Sequence, residues 1–260
     1  MIDLVPGRVL QVRVGGVDAF WTNPAATDWN IGGDRLWLGP ERDWFYATGG
    51  LADHVVPASM DLDAWRVDTV LVRRRTGAET VVGITRDVTV LEDSPGRVVY
   101  ETRTSVTVHS GRPVSAWSIL SVPLGGTLEL PLTGPLDYHD YLTPIDPARL
   151  EVADGVLRLR LTGDTMTKTG LPPSAVAGPL TYTVGGLRIK RSFGVHPDQV
   201  YCDLPVGVAG QGDAVQFFED DGAYGGYAEL EHHSPAATVG YPAIDVCRTV
   251  VSTDQASGSP

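Results

Sequence analysis

Apolar and polar residues alternate along much of the chain. From Arg8 to Val14, Leu10, Val12 and Val14 point one way while Gln11 and Arg13 point the other, the period-two signature of a half-buried strand. The same pattern predicts strands at 67–73, 80–91, 97–108, 115–122, 156–161, 187–193, 214–218, 227–231 and 246–251. Turn-forming clusters separate them: Gly15-Gly16, Asp93-Ser94-Pro95-Gly96, Asp154-Gly155, Gly185-Gly186 and Asp220-Asp221-Gly222. Two segments read as hairpins, 150–161 around Asp154-Gly155 and 180–193 around Gly185-Gly186. No stretch sustains a helical period, and only short helical turns are expected, near 57–65 and 144–150. With no fixed-length repeat and no dividing linker, the expected architecture is all-β: one domain over 1–260, built of two large packed antiparallel sheets, with 252–260 a frayed tail.

Charge narrows the partners. Twenty Lys and Arg against 32 Asp and Glu give a formal charge of −12, so the basic surplus that displaces counterions from nucleic acid is missing. Two cysteines, Cys202 and Cys247, are too few for a disulfide scaffold or a Cys-based zinc site. The start of the chain lacks a basic, apolar leader, and no run of 18 apolar residues appears, so a cytoplasmic protein without membrane contact is the expectation.

Candidate chemistry concentrates in two places. Residues 29–46 pack Trp29, Trp37, Trp44 and Tyr46 among charges; aromatic faces beside hydrogen-bonding groups suit a sugar, with its apolar C–H faces and ring of hydroxyls. Trp37 and Phe45 fit a core equally well. Arg35 and Glu41 lie on or beside a strand rich in large apolar residues, where charge must pair or face a cleft; a mutual Arg35–Glu41 ion pair is the competing explanation. The second place is 216–235. On a strand at 227–231, Tyr227, Glu229 and Glu231 share one face while Ala228 and Leu230 face the core. Two carboxylates on one concave face repel, which raises one of them toward the range of general acid–base work; exposed strands also carry Glu with no such role.

The histidines add less. His232-His233 is adjacent to two Glu, yet neighbours on a strand face opposite ways, and no HxH or HExxH spacing occurs, so no metal is expected. His54 and His139 sit in polar loops from which a proton donor could reach a ligand. Lys168, one of two lysines, falls between turn-prone stretches and could hold a ligand oxygen or lie in solvent. There is no GxSxG elbow, phosphate loop, CxxC pair or nucleotide fingerprint, and no cofactor is expected.

Gly32-Gly33-Asp34-Arg35-Leu36-Trp37-Leu38-Gly39-Pro40-Glu41 and Tyr227-Ala228-Glu229-Leu230-Glu231-His232-His233-Ser234-Pro235, with Ala116-Trp117-Ser118-Ile119 and Lys168-Thr169-Gly170-Leu171 between them, resemble the aldose epimerase (galactose mutarotase-like) superfamily. The resemblance implies an antiparallel β-supersandwich and a sugar or polyol-like substrate. It implies a Glu base, Glu229 or Glu231, and a His acid, for which His54 and His139 are the candidates by loop position. Arg35, Glu41 and Lys168 would hold substrate oxygens, with Trp37, Trp44 and Tyr46 as the aromatic platform. No segment matches the family's catalytic His, which leaves open a lyase, isomerase or cyclase step on a glycoside or other polyol-like compound, or carbohydrate binding without turnover. The residues say nothing of oligomeric state.

Overall fold

The computed structural model describes residues 1–5, 7–26, 30–45, 69–75 and 78–253, with backbone alone for 69–75 and 78. Two nine-stranded sheets face each other. The first runs β1 (Ile2–Val5), β2 (Arg8–Val14), β4 (Asp34–Gly39), β8 (Ser115–Pro123), β17 (Tyr227–His233), β16 (Val215–Glu219), β13 (Thr167–Leu171) and β10 (His139–Asp140), with β3 (Val17–Asp18) paired to β2. The second runs β11 (Leu150–Ala153), β12 (Val156–Leu161), β9 (Gly126–Pro131), β14 (Leu180–Val184), β15 (Leu187–Ser192), β18 (Ala243–Thr253), β7 (Arg97–Ser110), β6 (Ala78–Ser94) and β5 (Thr69–Arg75). Helix is limited to α1 (Glu41–Trp44) and a 3-10 turn at Pro147–Arg149 among the described residues, the latter inside the expected turn at 144–150. No helix there is long and apolar enough to cross a membrane.

Both expected hairpins form. β11 and β12 close on Asp154 (φ 53°) and Gly155 (φ 70°), and β14 and β15 on Gly185 (φ 56°) and Gly186 (φ 76°). Positive φ at both central positions matches the right-handed twist of the flanking strands. The expected strands recur within a few residues of their predicted ends, except that 67–68 lie outside the described residues. Three expectations change. Residues 252 and 253 belong to β18 instead of a frayed end, Lys168 sits inside β13 instead of between turns, and His139 lies on the short edge strand β10 instead of in a loop. The expected turn at 57–65 lies outside the described residues.

The main apolar cluster fills the space between the sheets, with Leu120, Phe217, Ala228 and Leu230 from the first packed on Leu128, Leu159, Tyr182 and Ile189 from the second. Full burial of such side chains is worth about 1.5–3 kcal/mol each. One polar knot sits among them. Asp34 accepts from Arg86 (2.8 Å) and from the Tyr100 hydroxyl (2.8 Å), while Arg191 lies 3.7 Å away and donates to the Leu230 carbonyl (2.9 Å) and Ser118 Oγ (2.8 Å). β4, β8, β13 and β17 are buried on both faces, so the outer face of the first sheet is enclosed as well.

Candidate active site

Strand register assembles the outer face. In an antiparallel pair, directly opposite residues point the same way. Arg35 opposes Ile119, Ile119 opposes Glu231, Glu231 opposes Gln216, Gln216 opposes Gly170, and Gly170 opposes His139. A single row across the sheet therefore unites residues scattered over most of the sequence. Two residues along the strands on one side lie Trp37, Trp117 and His233; on the other lie Ser121, Glu229, Phe218 and Lys168. Ala228 and Leu230 face the core as their alternation predicts.

Glu231 is the centre of the row. Its Oε2 accepts from Trp117 Nε1 at 2.6 Å and lies 3.5 Å from Lys168 Nζ, while Oε1 has no hydrogen-bond partner. Burial, reinforced by Glu229 and Glu41, outweighs Lys168 and the Trp117 bond and pushes the Glu231 carboxyl up to about 8. Glu229 instead pairs with Arg35 at 2.5 Å, and Arg35 also donates to Ser121 Oγ at 3.2 Å. Glu41, carried in by α1, accepts from Lys168 Nζ at 2.8 Å, and that ammonium rests 4.2 Å from the centre of the Trp117 ring. The alternative of an Arg35–Glu41 pair is thereby corrected: each has found a partner from another strand, because α1 turns Glu41 toward β13 while Arg35 faces β17 across β8.

A chain of hydrogen bonds continues to the sheet edge. The Glu41 backbone N–H donates to Asp203 Oδ1 (3.3 Å), and Gln216 Nε2 donates to Asp203 Oδ2 (3.0 Å) and to the Tyr141 hydroxyl (2.9 Å). Tyr141 in turn donates to Asp213 Oδ2 (2.7 Å), whose Oδ1 lies 2.9 Å from His139 Nδ1. Because carboxylates only accept, Asp203 fixes which end of the Gln216 amide faces it. Gln216 Oε1 therefore points away, without a partner. Burial raises Asp203 to about 6 and also raises Asp213, with Lys168 opposing the first shift and Tyr141 and His139 the second. Gly170 makes this arrangement possible, since a Cβ there would lie 2.2 Å from Asp213 Oδ2 and 2.8 Å from the Tyr141 ring.

The expected site residues divide. Arg35, Trp37, Glu41, Lys168, Glu229, Glu231 and His139 share this outer face. Trp37 does so as packing, stacked on Phe45 at 4.4 Å and set edge-on to Trp117 at 5.5 Å. Trp44 is buried in the same apolar cluster as Trp37, Phe45 and Trp117. Tyr46, His54 and Trp29 lie outside the described residues. His233 also faces the site, stacked on Trp117 at 5.5 Å, and burial with Lys168 and His232 nearby holds its imidazole well below the usual range. Asp203, Asp213 and Tyr141 carry no local signal: the two Asp fall in irregular chain before β16, and only long-range hydrogen bonds draw them in. Gln216 had one, since it alternates in phase with Phe218 on a predicted strand. Among the described residues no group of three His, Cys, Asp or Glu could hold a metal ion.

No protein-family model and no curated protein matches the chain. Solved structures do. The Slr1438 protein of Synechocystis sp. PCC 6803 superposes with a TM-score of 0.50 at 16% identity, over 97% of this chain and 91% of its own. A galactose mutarotase-like protein of Lactobacillus casei ATCC 334 gives 0.50 at 12% identity, over 95% and 94%. At these identities the likeness is one of fold: this chain has the galactose mutarotase-like β-sandwich.

Proposed function

We propose that the chain is a carbohydrate-active enzyme of the aldose 1-epimerase type, which opens and recloses a sugar hemiacetal by proton transfer. One observation carries the reading: Glu231 is anchored through Oε2 and leaves a buried Oε1 without a protein partner, in the same row as a histidine held by an aspartate. The mutarotase-like fold supports it. Ring opening takes a proton from the anomeric hydroxyl and gives one to the ring oxygen as the C1–O5 bond breaks and C1=O forms.

The two groups are suited to opposite halves of that transfer. With its carboxyl raised to about 8, Glu231 carries a proton at neutral pH, and the Trp117 and Lys168 contacts on Oε2 leave that proton on Oε1. His139, whose Nδ1 is held by Asp213, has Nε2 left as the ring nitrogen for a substrate. Glu231 then protonates the ring oxygen and His139 accepts the anomeric proton, with the roles exchanged on reclosure. This inverts the Glu base and His acid that the family resemblance implies, and burial of Glu231 is the cause. Three strand spacings of about 4.8 Å separate the two backbones, roughly 14 Å in all, and Gln216, with Asp213 and Tyr141 over Gly170, lies between them.

Anomeric exchange in free aldoses, read by NMR, tests the proposal. Wild type accelerates exchange, and Glu231→Gln and His139→Asn each lose about 100-fold or more with the fold intact by circular dichroism. Undiminished acceleration in both variants, or none in the wild type, overturns it.

A further inference from the structure

We propose that the sugar this site takes carries a basic amine, and that sugar acids and sugar phosphates are excluded. The inference rests on the sugar-site reading above and goes beyond it to the charge of the substrate. Among the described residues, the outer-face network holds five carboxyl groups, Glu41, Glu229, Glu231, Asp203 and Asp213, and two permanent cations, Arg35 and Lys168. Both cations are committed, Arg35 to Glu229 and Lys168 to Glu41 and Glu231. Asp203 is hydrogen-bonded only to the Glu41 N–H and the Gln216 amide, both neutral, and the charge nearest to offset it, Lys168, is already shared with Glu41 and Glu231.

Surplus negative charge alone would not define a ligand; two orphaned oxygens do. Gln216 Oε1 and Glu231 Oε1 belong to residues directly opposite on β16 and β17, both fully buried, and neither has a hydrogen-bond partner. The Gln216 oxygen can only accept, and it sits on the same amide that binds Asp203. A group that donates to it while bringing positive charge to Asp203 meets both needs, and a ligand ammonium does this with N–H bonds to spare. A hydroxyl supplies the donor but not the charge. A carboxylate or phosphate supplies neither and adds repulsion from the ionised carboxylates, which outnumber the two committed cations among the described residues, in an environment where charge interactions are strong.

Equilibrium binding of four probes to the wild-type chain near neutral pH decides the matter: galactosamine, galactose, N-acetylgalactosamine and galacturonate, each repeated in the gluco series. The expected order places the free amine about tenfold tighter than the neutral sugar, removes that advantage on N-acetylation, and leaves the uronate unbound. In Asp203→Asn the amine and the neutral sugar bind alike. Because the N-acetyl comparison uses the wild type only, the inference stays testable if that variant fails to fold. Neutral sugar bound as tightly as the amine, or uronate bound as tightly as either, overturns it, and so does failure of all probes to bind. Anomeric exchange read in the same samples separates the two ideas: the predicted order without exchange removes the epimerase reading alone, and exchange without the order removes this inference alone.

Discussion

The two faces of the first sheet bury charge to similar depth and to opposite ends. Alternate residues of the same strands build both: Asp34 points inward and Arg35 outward, Ser118 inward and Trp117 outward, His232 inward and Glu231 outward. In the inner-face knot around Asp34 one carboxylate sits among two guanidiniums, so Arg191 and Arg86, with the Tyr100 hydroxyl, hold Asp34 below its ordinary value against the cost of burial. On the outer face carboxylates outnumber cations among the described residues, and burial raises Glu231 and Asp203. The inner members are sealed between sheets, whereas the outer network reaches solvent at His139, whose side chain is 27% exposed, and at Glu41, at 14%. Burial by itself therefore does not mark a site. The sign of the local charge imbalance and a path to solvent separate a structural knot from a reactive one.

The hardest test of that contrast is to remove the shared carboxylate of the inner knot. Asp34→Asn leaves two buried guanidiniums without their counter-charge and is expected to cost about 3–5 kcal/mol, read as a shift in the urea midpoint. The wild type should also be acid-sensitive in a defined window. Asp34 is lowered from 3.8 in the folded state, so its contribution is present above that value and is lost as pH falls through the lower folded value. A small change in midpoint, within about 0.5 kcal/mol, would place the inner knot among surface-like pairs and remove the contrast.

Glu231→Gln should act in the opposite direction on stability. The unfolded chain releases this proton near 4.5, while the folded protein keeps it up to about 8. Between those values the unfolded state binds fewer protons, so stability declines as pH rises through the window. Glutamine has no such proton. At about 1.4 kcal/mol per unit the relief has an upper bound near 5 kcal/mol at pH 8, and after the weakened Lys168 contact we expect about 1–3 kcal/mol of added stability there and almost none at pH 4. A variant that is less stable at pH 8 would mean that Glu231 is charged in the fold and belongs with Asp34.

Much of the framework was legible from residues alone. Alternation marked β2, β7, β12 and β18, and paired turn residues marked both hairpins, because each of these depends on neighbours in sequence. The pair Glu229 and Glu231 was legible for the same reason, as was their orientation opposite Ala228 and Leu230. β13 was not, because Thr167–Leu171 is buried on both faces and shows no alternation. The partner choices were not legible either. Nothing near Arg35 indicates Glu229, 194 positions away, and nothing near His139 indicates Asp213. Register across six strands aligns the row that frames those contacts, and a one-residue slip would turn a strand's whole set of side chains to the other face.

The smallest expected effect concerns the single hydrogen bond that tunes Glu231. Trp117 Nε1 donates to Oε2 and favours the charged form, opposing burial. Trp117→Phe keeps an aromatic ring against Trp37, Phe45 and His233 and removes that donor. The Glu231 carboxyl should then rise above about 8, and because the protonated form is the one proposed to act on the ring oxygen, the alkaline limb of the exchange rate should move to higher pH by less than about one unit. The rate at neutral pH should change little. An alkaline limb that stays in place would show that another group sets it, and activity that is lost below about 8 instead of above it, with that acid limb moving to higher pH in the variant, would show that Glu231 acts as the base, restoring the assignment that the family resemblance implies.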